Sequence, residues 1–255
     1  MSKDPSVLAA AFGVGLLLGS FLNVVIHRLP RGSSVVGGRS KCPSCGKTIR
    51  WYDNVPIVSY VMLRGRCRRC STSIPLRYPV VELVSGAAAL LAVYRFGLSL
   101  KSAWVYVFLC VLLVITFIDW RHRIIPDVLS IGGMVFGWVG SIICLDINLI
   151  ESFVGSVVGG GLLFTIAALY KLVRKTDGMG GGDIKLMAMI GAFLGWKMIF
   201  PVLFFASLFG SAYGLILMAK GGHGKTAVAF GSFLAPSATL VYLLGSRLWN
   251  LYLGF

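Results

Sequence analysis

The chain is short of acid. Only nine of its 255 residues are Asp or Glu, and charged residues of both signs make up 13% against 57% hydrophobic, with mean hydropathy +0.85. A soluble globule carries about a quarter charged residues, so a wholly water-exposed fold is excluded and a polytopic membrane protein is expected. No stretch of about ten residues alternates polar with apolar, which argues against a transmembrane barrel. No internal repeat appears, so the inverted-repeat plan of many transporters is not supported. No glycine-rich loop follows a strand, so a soluble-type dinucleotide fold is absent. The first apolar run lacks a basic leader and a small-residue cleavage site, so it is expected to stay on as a spanning helix.

What the chain does have is apolar runs of helix length, at about 6–26, 80–96, 102–119, 127–145, 150–170, 184–199, 201–219 and 228–250. Crossing the hydrocarbon core takes roughly 20 residues; the shorter runs are expected to tilt or to thin the bilayer. Only Gly195, Trp196, Lys197 and Pro201 mark a turn between the sixth and seventh. The expected fold is all-α, with about eight transmembrane helices and a small zinc-binding cytoplasmic loop domain. The expected layout is a first transmembrane helix over 1–26, a cytoplasmic zinc-knuckle domain over 27–79 and a seven-helix membrane domain over 80–255.

Net charge is +15. If the N-terminus lies outside, only Lys3, Arg95, Lys101, Lys197 and Arg247 of the 24 basic residues lie outside. That bias orients the chain, and the excess charge serves topology and anionic headgroups. Membrane lipid is thus an expected partner and nucleic acid is not. The inside connections then include 120–126, 171–182 and 220–225, so Asp119, Asp127 and Asp183 share the cytoplasmic face.

Segment 27–79 holds four of the six cysteines, as Cys42-Pro-Ser-Cys45 and Cys67-Arg-Arg-Cys70. Four thiolates suit tetrahedral zinc and leave no open position, so the metal is read as structural. The linker between the pairs is slightly longer than the usual spacing of about 15–20. A reducing compartment rules against disulfides. Cys110 and Cys144 sit in apolar runs and read as small hydrophobes.

Asp119 closes one apolar run, and Asp183 closes the glycine loop Gly178-Met-Gly-Gly-Gly-Asp183 ahead of another. Carboxylates at the edge of a bilayer are costly and usually functional. Two of them sharing a proton can activate water and polarise a peptide carbonyl. The glycines are read as permitting unusual φ values and as letting an extended peptide lie close. A helix N-terminus favours an anion, so Asp183 is expected to act as the base more often than Asp119. Each Asp also has a plain structural reading. Asp183 and Asp127 could be helix caps, and Asp119 could pair with Arg121, His122 or Arg123. Asp127 is read as the cap of the fourth span. His27, His122 and His223 read as interfacial, Asn23 as a hydrogen bond to another helix, and Lys185 as tuning Asp183, binding substrate or snorkelling.

These residues resemble the type IV prepilin peptidase family of GxGD aspartyl proteases. The likeness rests on Gly19-Ser-Phe-Leu-Asn-Val-Val-Ile-His-Arg-Leu-Pro30, the two CxxC pairs, Asp53-Asn-Val-Pro56, Arg77-Tyr-Pro-Val-Val-Glu82, Asp119 eight residues before Asp127, and Gly-Gly-Gly-Asp183-Ile-Lys185. The resemblance implies a multi-pass protein of the bacterial inner membrane that cleaves the leader of prepilins and pseudopilins at the cytoplasmic face, with Asp119 and Asp183 catalytic and zinc on Cys42, Cys45, Cys67 and Cys70. It also implies N-methylation of the new terminus with S-adenosylmethionine as donor, with Glu82 a candidate donor-binding residue. Glu82 has the alternative of pairing with Arg77. Two competing readings, a proton-conducting transporter and a zinc-ribbon adaptor on a membrane anchor, leave either the one-sided placement of the carboxylates or the glycine loop without a purpose.

Overall fold

A computed structural model describes residues 4–38, 40–176, 178–220 and 229–253, with side-chain surroundings described as far as residue 245. Lys3, His223, Lys225 and the side chain of Arg247 lie outside what is described, as does the connection at 220–225 beyond Lys220. Among the described residues the fold is helical: α1 (Pro5–Arg28), α2 (Val58–Met62), α3 (Arg77–Phe96), α4 (Leu100–His122), α5 (Asp127–Ile143), α6 (Leu149–Arg174), α7 (Gly181–Leu194), α8 (Ile199–Ala219) and α9 (Gly231–Leu253). The eight apolar runs are all helices, and α2 is a short addition within 27–79. By length and composition, five helical stretches among the described residues can cross a membrane: Pro5–Arg31, Arg77–Phe96, Leu100–His122, Leu149–Arg174 and Trp196–Ala219. Helix α7 has 14 residues and α5 has 17.

Local chemistry sets the ends. Asp4 accepts from the Ser6 backbone N–H, and Pro5 occupies the first helical position of α1. Asn148 accepts from the Glu151 N–H at 2.7 Å to open α6. Gly195, at φ +73, ends α7 and leads through the short 3₁₀ turn Trp196–Met198 into α8. The expected turn is therefore there, although Pro201 lies within α8 rather than in it.

The chain divides into two compact units, Met1–Val114 and Ile115–Phe255. In the first, α1 packs on α3 through small residues. A Cβ on Gly15 would lie 2.8 Å from the Gly86 Cα, and one on Gly19 would lie 2.7 Å from the Glu82 Cα. This is the close packing that stands in for hydrophobic burial between helices in lipid. Ser85 on α3 donates to the Gly15 carbonyl at 2.8 Å, and Asn23 donates to the Tyr78 carbonyl at 3.1 Å, as the sequence implied for Asn23.

In the second unit α7 is the core. Leu186, Met187, Met189, Ile190 and Ala192 are wholly buried. Helix α6 meets α7 backbone to backbone at Gly155 and Gly191. On α5, Gly133 and Gly137 make room for Met189 and Phe193 of α7. Ser152 of α6 donates to the Ala192 carbonyl at 2.6 Å. A short helix enclosed this way is a rigid base for whatever its first turn carries.

Candidate active site

Asp183 is the third residue of α7, and its own backbone N–H bonds the Gly180 carbonyl at 3.1 Å. The cap position belongs to Gly180, so the Asp183 side chain is not spent on the helix end. The reading of Asp127 as a cap is corrected as well. Pro126 holds the cap position of α5, and Asp127 Oδ1 takes the Lys185 ammonium at 2.7 Å. Both partners of that pair are largely exposed, so it is worth about 1 kcal/mol or less.

Asp119 lies in the last turn of α4, and its carbonyl accepts the Arg123 N–H at 2.8 Å as the helix closes. Its carboxylate points to the start of α9. The backbone N–H and the hydroxyl of Ser232 both donate to Asp119 Oδ2, at 2.7 and 3.0 Å. The two carboxylates converge on one face of Gly231: a Cβ there would lie 3.0 Å from Asp119 Oδ2 and 3.1 Å from Asp183 Oδ1. Side chains 64 positions apart in the chain thus flank a single point, and both are buried, at 5% and 9% exposure.

Aromatic rings fix this arrangement. Trp120, beside Asp119, meets Tyr213 of α8 at 5.2 Å between centroids, and Tyr213 meets Phe233, beside Ser232, at 5.6 Å. The trio holds the end of α4 in register with the start of α9.

Of the loop glycines, none lies at positive φ, so unusual backbone angles are not why they are glycine. Packing explains two of them. A Cβ on Gly178 would strike the Tyr170 ring at 2.3 Å, and one on Gly182 would press on Ile125 at 3.0 Å. Gly181 has open space around it.

In the first unit the four cysteines come together. Their sulfurs all lie within 4.8 Å of one another, with Cys42 and Cys70 at 3.8 Å. Two sulfurs bonded to one tetrahedral ion at about 2.3 Å stand about 3.8 Å apart, so the donor set fits such an ion. The two knuckles share one plan. Cys42 N–H donates to the Lys47 carbonyl and Gly46 N–H to the Cys42 carbonyl; Cys67 N–H donates to Thr72 and Ser71 N–H to Cys67. Gly46 and Ser71 hold the matching left-handed positions, at φ +67 and +57. The Thr72 hydroxyl and backbone N–H bring the Cys70 thiol down to about 6, and the Cys45 backbone N–H lowers Cys42. Both favour thiolate, the metal-binding form. The long linker is folded back by Arg68, between the second pair, which meets Asp53 at 2.7 Å.

Glu82 is buried, and its carboxylate accepts from Ile57 N–H at 2.9 Å. That bond comes from Ile57 rather than from Arg77. Ile57 sits at φ +61, a costly place for a β-branched residue. An ionised carboxylate offers about four acceptor sites, so the bond to Ile57 leaves Glu82 able to accept from a further donor.

Gly231 and Ser232 went unremarked in the sequence because 228–250 reads as one apolar run. The available signal was a Gly-Ser pair at the head of a helix.

Residues 14–96 match the Bacterial Peptidase A24 N-terminal domain, and residues 106–215 match the Type IV leader peptidase family. Similar proteins span the whole chain. A Prepilin leader peptidase/N-methyltransferase of Xanthomonas campestris pv. campestris is 36% identical, covering 96% of this chain and 94% of its own. One of Pseudomonas aeruginosa is 33% identical, over 95% and 92%. One of Neisseria gonorrhoeae is 34% identical, over 97% and 94%. No solved structure matches the chain.

Proposed function

The chain belongs to the type IV leader peptidase family, and from that premise we propose that it is a membrane aspartyl endopeptidase with Asp119 and Asp183 as its catalytic pair. The observation that carries the proposal is the convergence of these two carboxylates at Gly231. Close carboxyls titrate as a coupled pair and hold one proton between them. The ionised partner takes a proton from water, and the protonated one hydrogen-bonds the scissile carbonyl and later supplies the leaving amine. Burial of both, and fixed donors on Asp119, limit reorganisation during reaction.

The substrates in this reading are type IV prepilins and pseudopilins, engaged through their leader and apolar helix. In this reading the N-terminus lies outside and the pair at the cytoplasmic face of the bacterial inner membrane, an orientation that the bias of basic residues supports. The helices α5, α7 and α9 complete an eight-span bundle, with tilting or local thinning making up the length of the shorter α5 and α7. Cys42, Cys45, Cys67 and Cys70 would hold one zinc ion, whose contribution is to fold a module too small to hold itself. N-methylation of the new terminus, named in the relatives, is proposed for this chain as well, with S-adenosylmethionine supplying the methyl group. Glu82, which also holds the Ile57 N–H, is the candidate donor-binding residue in this reading.

The test is conversion of a purified prepilin by the full chain in detergent. Asp119→Asn and Asp183→Asn should each abolish cleavage while the protein stays folded; a variant that still cleaves removes that residue from the mechanism. Mass spectrometry of the product terminus reads the cleavage position and the methyl group together.

A further inference from the structure

We propose that Gly231 and Ser232, the first two residues of α9, are positioning residues of the carboxylate pair: Ser232 selects the working oxygen of Asp119, and Gly231 lets the two carboxylates close. The inference rests on the reading of Asp119 and Asp183 as the reacting pair. It adds a third element to a site that the sequence assigned to two.

Two donors carry the first part. Ser232 puts its N–H and its hydroxyl on the same atom, Asp119 Oδ2, at 2.7 and 3.0 Å. The hydroxyl also lies 3.4 Å from the Thr116 carbonyl, so the shorter contact to the carboxylate is the stronger one. With Oδ2 doubly engaged, Oδ1 is the oxygen of Asp119 left for water or substrate. Gly231, the residue before Ser232, stands against Asp183 as well, with its Cβ position 3.1 Å from Asp183 Oδ1. Adjacent residues on one helix therefore meet both carboxylates. Assigning the base from helix ends alone omits the two donors that act on Asp119.

The second part is steric. A Cβ on residue 231 would stand 2.7 Å from Ile125 Cδ1, 3.0 Å from Asp119 Oδ2 and 3.1 Å from Asp183 Oδ1. Each oxygen would have to move by a few tenths of an ångström, and for Asp119 Oδ2 that shift loosens its two bonds from Ser232. Gly231 has no left-handed backbone angle to explain it; close approach of the carboxylates is what its missing side chain provides. Ser232, at 4% exposure, is sealed among the same groups.

The experiment measures kcat and KM for a prepilin peptide spanning leader and apolar segment, with the full chain in detergent. Losing a hydrogen bond to a charged group predicts that Ser232→Ala lowers kcat roughly 10- to 100-fold, with KM unchanged. Ser232→Thr, which keeps the hydroxyl, restores kcat to within a few-fold. Gly231→Ala removes cleavage at an unchanged melting temperature; should it fail to fold, the Ser232 pair of variants decides alone. Wild-type kcat in Ser232→Ala, or a loss that Thr does not rescue, overturns the proposal. Cleavage retained in Asp119→Asn instead sinks the underlying pair, so the two failures are told apart.

Discussion

Replacing Gly191 by Ala tests whether the packing of α7 sets the reaction geometry. A Cβ at Gly191 would lie 2.1 Å from the Gly155 carbonyl oxygen and 2.4 Å from its carbon. Both are backbone atoms of α6, so no rotamer change can absorb the clash. Restoring van der Waals distance requires the helices to part by about 1 Å. Overpacking of this kind costs typically 1–3 kcal/mol, against which alanine returns up to about 1 kcal/mol of helix propensity. The same shift moves Asp183, two turns back on α7, relative to Asp119. Misplacement of a reacting group by about 1 Å is worth about 10²-fold in rate. Gly161→Ala on α6 is the control, since nothing lies within 4 Å of its Cβ; it should leave both rate and melt unchanged. The assay is prepilin cleavage beside a thermal melt in detergent. Wild-type rate and melt in Gly191→Ala would refute the claim that the α6–α7 contact holds the pair.

Metal removal should act on the first unit. A strong chelator, or Cys42→Ser, should release one zinc ion per chain by elemental analysis and open segment 40–75 to protease, whereas Cys110→Ser should keep the metal. Asp127→Asn and Lys185→Met break a pair that is mostly exposed, so cleavage rate should stay within a few-fold and the melt within about 1 kcal/mol of wild type. Glu82→Ala strands the Ile57 N–H and should cost about 1–3 kcal/mol. In a product mass assay it should reduce methylation more than cleavage; equal losses of both would argue that Glu82 serves general folding.

The parts of this molecule legible in the sequence are those whose signal is local. Hydropathy located the eight long helices, and CxxC spacing located the sulfurs, because each pattern reports a neighbourhood of a few residues. Asp119 and Asp183 were legible through scarcity, since an acid at the end of an apolar run needs a reason. What escaped was pairing over distance. The partner of Asp119 stands 113 residues away at Ser232, and that of Lys185 stands 58 residues away at Asp127. Asp127 was misread as a cap for the same cause. The sequence showed an acid beside a helix start, and only the packed structure shows whether that acid turns inward to the helix end or outward to another element.

The glycines make the physical logic plain. Lipid offers helices no hydrophobic incentive to pack, so backbones must approach closely enough for dispersion to accumulate. Gly155, Gly159, Gly133 and Gly137 provide that approach on two sides of α7. An enclosed α7 carries Asp183 at a fixed position, and fixed position is what a coupled carboxylate pair needs, because its chemistry depends on a separation of a few ångströms. Within the loop before α7 the same residue type divides its labour. Gly178 and Gly182 are glycine because Tyr170 and Ile125 occupy the space, while Gly181 faces none of the protein's own atoms. A peptide backbone lying along this loop would meet no side chain at that position. Close packing at Gly178 and Gly182 and bareness at Gly181 are thus two uses of the same missing Cβ.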